Sequence, residues 1–135
     1  IGFEAISSDY SLTESGNLAK AYAGICYYNL GEYENAIKYL SGYDGDDQYF
    51  SITVLGLIGD CYVELGETDK AVRFFGKAAE SGNEVLAPVF LKKAAIVYES
   101  TGDKSKALQS YQTIKDKYPL SQEGQDIDKY ITRLQ

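Results

Sequence analysis

The sequence contains no histidine, no methionine and no tryptophan, and only two cysteines. Without histidine a serine or cysteine nucleophile has no ordinary general base, and neither cysteine stands in a redox or zinc-binding spacing, so the parts of an enzyme are missing. No run approaches the roughly 18 consecutive apolar residues of a membrane span, and no secretory leader is visible. A chain that opens on Ile1 and holds no methionine reads as a piece of a longer or processed protein, with any targeting segment in the remainder. Basic charge is also short. Thirteen Lys and Arg face 20 Asp and Glu, for a net charge of -7 and a pI near 4.5. Such a chain repels phosphate backbones and anionic headgroups, which argues against nucleic acid and polybasic membrane binding. Lys115, Lys117 and Lys129 are too few and too interspersed with acids to form a phosphate track.

What is present is repetition. Three segments beginning at Tyr27, Tyr62 and Tyr98 all read Y-x-x-x-G-[DE]-x-x-x-A, with the glycine at Gly31, Gly66 and Gly102 and the alanine at Ala36, Ala71 and Ala107. The glycines are 35 and 36 residues apart. One supersecondary unit recurring at that period is the signature of a helical-hairpin array. With 44% hydrophobic residues in a chain of 135, there is enough apolar surface for a continuous core.

Each glycine should end one helix and supply the left-handed backbone of a tight turn. The acid that follows, Glu32, Glu67 or Asp103, is expected in the first turn of the next helix, where the helix dipole favours negative charge. First helices are therefore expected near 16–30, 50–65 and 88–101, and second helices near 33–40, 68–80 and 104–117. Pro88 suits a first helical turn. Connectors rich in Ser, Gly, Asp and Asn follow at 41–47 and 81–83, and Pro119 closes the third unit. Ser121 can cap one last helix in which Ile127, Tyr130, Ile131 and Leu134 share a face, docking as a cap. The expected fold is all-α: a solenoid over 1–135 with repeats at 16–43, 50–80 and 88–118 and a capping helix at 121–134. Residues 3–12 echo 111–120 at three periods, so 1–10 read as the tail of a truncated repeat, leaving an apolar edge at Phe3 and Ile6.

Cys26 and Cys61 occupy the same slot in successive units, where Val97 stands in the third. Equivalent positions on stacked helices are roughly 8–10 Å apart, beyond disulfide reach, so both are expected to be buried free thiols. Asp44, Asp46 and Asp47 invite a calcium reading, but a calcium loop opening at Asp44 would need glycine and glutamate where Tyr49 and Leu55 stand. A solvated acidic loop is the better account, and no metal or cofactor is expected. Carboxylate pairs such as Glu4 with Glu14 or Asp126 with Asp128 read as solvated surface.

The repeated slots resemble the tetratricopeptide repeat family. Its pattern of small, aromatic, glycine, alanine, aromatic and small residues is met by Gly24, Tyr27, Gly31, Ala36, Leu40 and Tyr43, with departures at the last two. Gly59, Tyr62, Gly66, Ala71, Phe75 and Ala78 form the second set, and Ala95, Tyr98, Gly102, Ala107, Tyr111 and Ile114 the third. The departure at Tyr43, beside Gly42, suggests that the first unit's second helix ends early. Gly24 with Ala36, Gly59 with Ala71 and Ala95 with Ala107 should permit close helix approach, with tyrosines and Phe75 filling the spaces between units. Tyr118-Pro119-Leu120-Ser121, echoed by Tyr10-Ser11-Leu12-Thr13, looks like the style of bacterial membrane-anchored cell-envelope members. That likeness implies a periplasmic array serving envelope assembly or secretion behind an N-terminal anchor. A cytoplasmic location is the alternative, toward which free cysteines lean.

The resemblance further implies a concave groove lined by the first helices and receiving a peptide or helix of a protein partner. Its candidate residues are Leu18, Tyr22, Ile25 and Tyr28, then Thr53, Leu57, Asp60 and Val63, then Val89, Lys92, Lys93 and Ile96. Tyrosines would anchor the segment and Lys92 or Lys93 would meet a carboxylate. A clamp for chaperone C-termini is argued against, because its cationic and amide positions fall on Ala21, Ile25, Leu57, Val89 and Lys93, where one lysine alone matches. The alternatives are that Tyr22 and Ile25 merely pack against a neighbouring repeat or the missing helix of the truncated one, or that the chain is a self-association module forming a homo-oligomer without a groove ligand.

Overall fold

The computed structural model describes residues 14–135. The expected truncated repeat at 1–10, with its edge at Phe3 and Ile6, lies outside the described residues, as does Glu4. Eight helices, and no strand, form the described part: α1 (Glu14–Asn29), α2 (Tyr33–Ser41), α3 (Gln48–Glu64), α4 (Thr68–Ala79), α5 (Leu86–Ser100), α6 (Lys104–Lys117), α7 (Gln122–Gln125) and α8 (Ile127–Leu134). The described residues divide into two compact units, 14–67 and 68–135.

The recurrent glycine motif closes each first helix through the same hydrogen bonds. Gly31, Gly66 and Gly102 have φ of 79°, 76° and 85°, and the next residue donates its backbone N–H to the repeated tyrosine carbonyl: Glu32 to Tyr27, Glu67 to Tyr62 and Asp103 to Tyr98, each at 2.9 Å. This is a Schellman termination, which satisfies helix-end carbonyls at the expense of one left-handed residue. It also corrects the expected place of the acids. They stand just before the second helices, because their own N–H groups are committed backward to the preceding helix. Asp103 exploits that position by accepting the Lys106 backbone N–H at 3.1 Å.

In the first unit, α1 and α2 form a hairpin and α3 packs on α2. The approach of α1 to α2 is close at Gly24, where an added Cβ would stand 2.5 Å from Leu40 Cγ. The residue filling the space opposite Gly24 is thus Leu40, itself 1% exposed. Tyr27 stacks on Tyr39 with centroids 5.4 Å apart. Helix α2 stops at Ser41, short beside the other second helices, as the Gly42-Tyr43 departure suggested. The Asp47 carboxylate then caps α3 by accepting the Phe50 N–H at 3.0 Å.

In the second unit, α4, α5 and α6 pack consecutively, and α8 lies against α6. Asn83 Oδ1 accepts the N–H groups of Val85 and Leu86, both at 2.9 Å, and so starts α5. Phe75 stacks on Phe90 with ring planes 13° apart. Tyr111, Ile114, Ala95 and Ala107 form a core with Ile127 and Ile131 of α8. The single terminal helix expected after Ser121 is instead two. Ser121 does cap the first, accepting the Gly124 N–H at 2.9 Å, but the backbone leaves helical geometry at Asp126, whose ψ is 3°. Gly124 holds α7 so tightly to the preceding turn that a Cβ there would be 2.4 Å from the Tyr118 carbonyl, and the break at Asp126 lets α8 take its own direction onto α6.

The two cysteines diverge. Cys61 is fully buried on α3, whereas Cys26 is exposed. Equivalent slots of the repeat thus do not carry equal cover.

Candidate functional site

On the first unit, α1 and α3 carry most of the expected groove residues. Leu18, Ile25 and Tyr28 of α1 and Thr53, Leu57 and Asp60 of α3 are half-buried, while Tyr22 is 46% and Val63 40% exposed. Tyr28 and Asp60 are brought together. Burial pushes the Tyr28 phenol up, and the Asp60 and Glu64 carboxylates push it further, so it stays protonated as a hydrogen-bond donor across the neutral range. Its ring meets Tyr33 edge-on at 5.6 Å.

Leu18 and Tyr22 also line a cleft of about 250 Å³ whose other walls the sequence did not single out. Tyr43 from the α2–α3 connector and Phe50 from the start of α3 complete it, with Glu14, Asp46 and Asp47 at its edge. Phe50 is the hinge of the aromatic group, 5.2 Å from Tyr43 at a right angle and 6.3 Å from Tyr22. Such tilted arrangements align positive ring edges with negative faces. The connector is tied back to α1 where Asn17 Nδ2 donates to the Asp44 carbonyl at 3.2 Å. One signal for this cleft stood in the sequence: Tyr43 occupies a slot where the repeat pattern wants a small side chain, and its bulk had to go somewhere.

The second unit presents Val89, Lys92, Lys93 and Ile96 on α5. Ile96 is 50% exposed and the other three are half-buried. The two lysines are not simple outward cations. Lys92 Nζ lies 4.6 Å from the Tyr130 ring centroid, over a residue of α8, and Lys93 Nζ lies 5.9 Å from that of Phe75. Tyr130 in turn stacks on Tyr111 at 5.3 Å and receives the Arg133 guanidinium at 5.2 Å. Arg133 Nη2 donates to both Glu99 oxygens at 2.7 Å, and the buried Tyr111 hydroxyl donates to the same carboxylate. Burial, then the Glu99 contact, raises the Tyr111 pKa. This network, which sequence reasoning missed, fastens α8: the Glu99 carboxylate is shared by Tyr111 of α6 and Arg133 of α8.

Val89 also borders a cleft of about 410 Å³ between the start of α5 and the α6–α7 turn, beside exposed Val85 and Leu120. Of the three lysines weighed as a phosphate track, Lys115 pairs with Asp128 at 2.9 Å and Lys129 lies against Tyr130. Among the described residues no helix is long and apolar enough to cross a membrane, and no group of histidine, cysteine and carboxylate side chains could hold a metal ion.

Tetratricopeptide repeat family models match residues 17–43, 52–81 and 91–121, together more than half of the chain. Among solved structures, the N-terminal domain of stress-induced protein-1 (STI-1) from C. elegans is similar with a TM-score of 0.74 at 18% identity, over 96% of this chain and 97% of that one. PcrH in complex with the chaperone binding region of PopB gives a TM-score of 0.69 at 17% identity, over 92% of this chain and 98% of that one. At these identities both likenesses establish the fold alone. No curated protein sequence matches the chain. The helical hairpins, the Schellman turns at the repeat spacing and the three matched segments together make this chain a member of the tetratricopeptide repeat family.

Proposed function

We propose that the chain is a non-catalytic protein-interaction scaffold whose first helices receive a peptide or helix of a partner. The observation that carries this reading is the row of apolar and aromatic side chains on α1 and α3 that the fold does not fully consume, above all Tyr22 and Val63 beside half-buried Leu57 and Ile25. An exposed aromatic side chain among apolar neighbours is a usual anchor of helix-in-groove recognition. The likeness to PcrH, whose structure contains a region of another protein, is compatible with it. On α5 the same use would fall to Val89 and Ile96.

A setting in bacterial envelope assembly or secretion, with a membrane anchor ahead of the array, belongs to the same proposal and rests on the Tyr118-Pro119-Leu120-Ser121 stretch. Fractionation of cells expressing the full-length protein tests it, since recovery in the soluble cytoplasmic fraction would remove it. For the interaction itself, wild type and a Tyr22→Ala, Leu57→Ala double variant are compared for co-purifying proteins after confirming equal helicity. Loss of one or more partners is expected, and an identical set would remove this face from consideration.

A further inference from the structure

The aromatic cleft of the first unit has a chemical bias that the general scaffold reading does not contain. We propose that it receives a cationic side chain, arginine or lysine, flanked by apolar residues in a segment of a partner protein; this rests on the protein-interaction reading and narrows it. Three properties point there. The walls are rings: Tyr22, Tyr43 and Phe50 line the cleft at tilted and perpendicular angles to one another, and Leu18 adds an aliphatic side. The charged lining residues are all acidic, Glu14, Asp46 and Asp47, with no lysine or arginine among them. The volume, about 250 Å³, is below the roughly 300–1,000 Å³ of pockets that enclose a whole small molecule, so one or two side chains are the matching load.

Charge complementarity decides among occupants. Ring faces and carboxylates both favour a cation, and both disfavour an anionic segment. The positive ends of α1 and α3 oppose this, each worth roughly half a charge. Glu14 lies in the first turn of α1, and Asp47 spends one oxygen on the Phe50 N–H, so those two acids offset the two helix ends. Asp46 remains in excess, exposed and without an ion pair among the described residues, on a chain that carries -7 overall. The guanidinium plane of arginine would also stack on a ring while its edge reaches a carboxylate, which makes it the better fit of the two cations.

The test uses the whole chain and three short labelled peptides that share the same leucines and phenylalanines and carry arginine, glutamine or glutamate between them. Fluorescence anisotropy should rank them arginine, glutamine, glutamate, with roughly tenfold between the first two at low salt and a smaller gap at high salt. A Glu14→Gln, Asp46→Asn variant, which leaves the Asp47 cap and the rings in place, should narrow the gap between the arginine and glutamine peptides severalfold. Tyr22→Ala should weaken both. Should Tyr22→Ala fail to fold, the charge variant decides alone.

Equal binding of all three peptides, abolished by Tyr22→Ala, would overturn the cationic assignment while leaving the interaction scaffold standing. An unchanged arginine preference in the charge variant would overturn it too. Binding that arises only after Phe3→Asp and Ile6→Asp would assign the cleft to the chain's own N-terminal segment. A concentration-dependent dimer lost on Tyr22→Ala would assign it to a second copy. Each of these last two outcomes also refutes the proposal.

Discussion

Replacing Gly24 with alanine sets two effects of opposite sign against each other in one helix. Alanine is favoured over glycine in a helix interior by about 0.8–1.0 kcal/mol, because it loses less backbone entropy. At Gly24, however, the new Cβ would stand 2.5 Å from Leu40 Cγ, 2.8 Å from Cδ2 and 3.1 Å from the Leu40 backbone N. Leu40 is 1% exposed, so its branched side chain has nowhere to turn, and the backbone contact means that α2 itself must shift. Overpacking of this kind costs about 1–3 kcal/mol, which outweighs the propensity gain and leaves a net loss of about 1 kcal/mol. At this length, that corresponds to a fall in Tm of roughly 3–5 °C. Gly76→Ala is the internal control. Gly76 is also inside a helix, but a Cβ there meets no heavy atom within 4 Å, so only the propensity gain remains and stability should rise by about 1 kcal/mol. Urea and thermal unfolding of both variants measure the difference. If Gly24→Ala proves as stable as Gly76→Ala, the close approach of α1 and α2 is not what glycine is there to permit.

The carboxylate of Glu99 should hold α8 in place: Glu99→Ala strands the buried Tyr111 hydroxyl and frees Arg133, at about 1–3 kcal/mol, and hydrogen exchange should show α8 losing protection first. Unchanged protection across 127–134 would refute that. Because the folded Tyr111 pKa lies above its ordinary 10.0, the unfolded chain deprotonates first, so its contribution is complete below pH 10 and declines as pH rises; Tyr111→Phe should flatten the alkaline limb of a stability profile. Burial likewise pushes the Cys61 thiol up to about 11 from 9.0, which places its loss of stabilisation between pH 9 and 11. A thiol reagent at neutral pH should therefore modify Cys26 promptly and Cys61 only upon unfolding, and equal rates would contradict their different burial. Asp47→Ala removes the α3 cap and should cost about 1 kcal/mol, whereas no loss would mean that the Phe50 N–H is satisfied equally well by water.

Helix boundaries were legible to within about two residues because the signals that set them are local. The Schellman hydrogen bond from Glu32 to Tyr27 spans only five residues, so glycine, the following acid and the tyrosine position announce it together. Burial was less legible. Cys26 and Cys61 hold equivalent slots, yet one is exposed and the other buried, because burial depends on what other segments lie against a slot and not on the slot itself. The candidate site divided in the same way. Leu18 and Tyr22 were found from helical position, while Tyr43 and Phe50 entered the cleft from a connector and the next helix, which no period within α1 could reveal. Lys92 read as a cation facing outward until Tyr130 of α8 came to lie under it.

The amino-acid order alone determined the helical class, the repeat, its turns and the family, because each rests on interactions a few residues long and recurs three times. Tertiary structure decided which repeated slots are covered, where the terminal segment breaks at Asp126 to seat α8, and which aromatic rings gather into a cleft with an acidic edge. Those outcomes depend on which surfaces of separate helices meet, and the free energy of burial belongs to the pair in contact rather than to either segment.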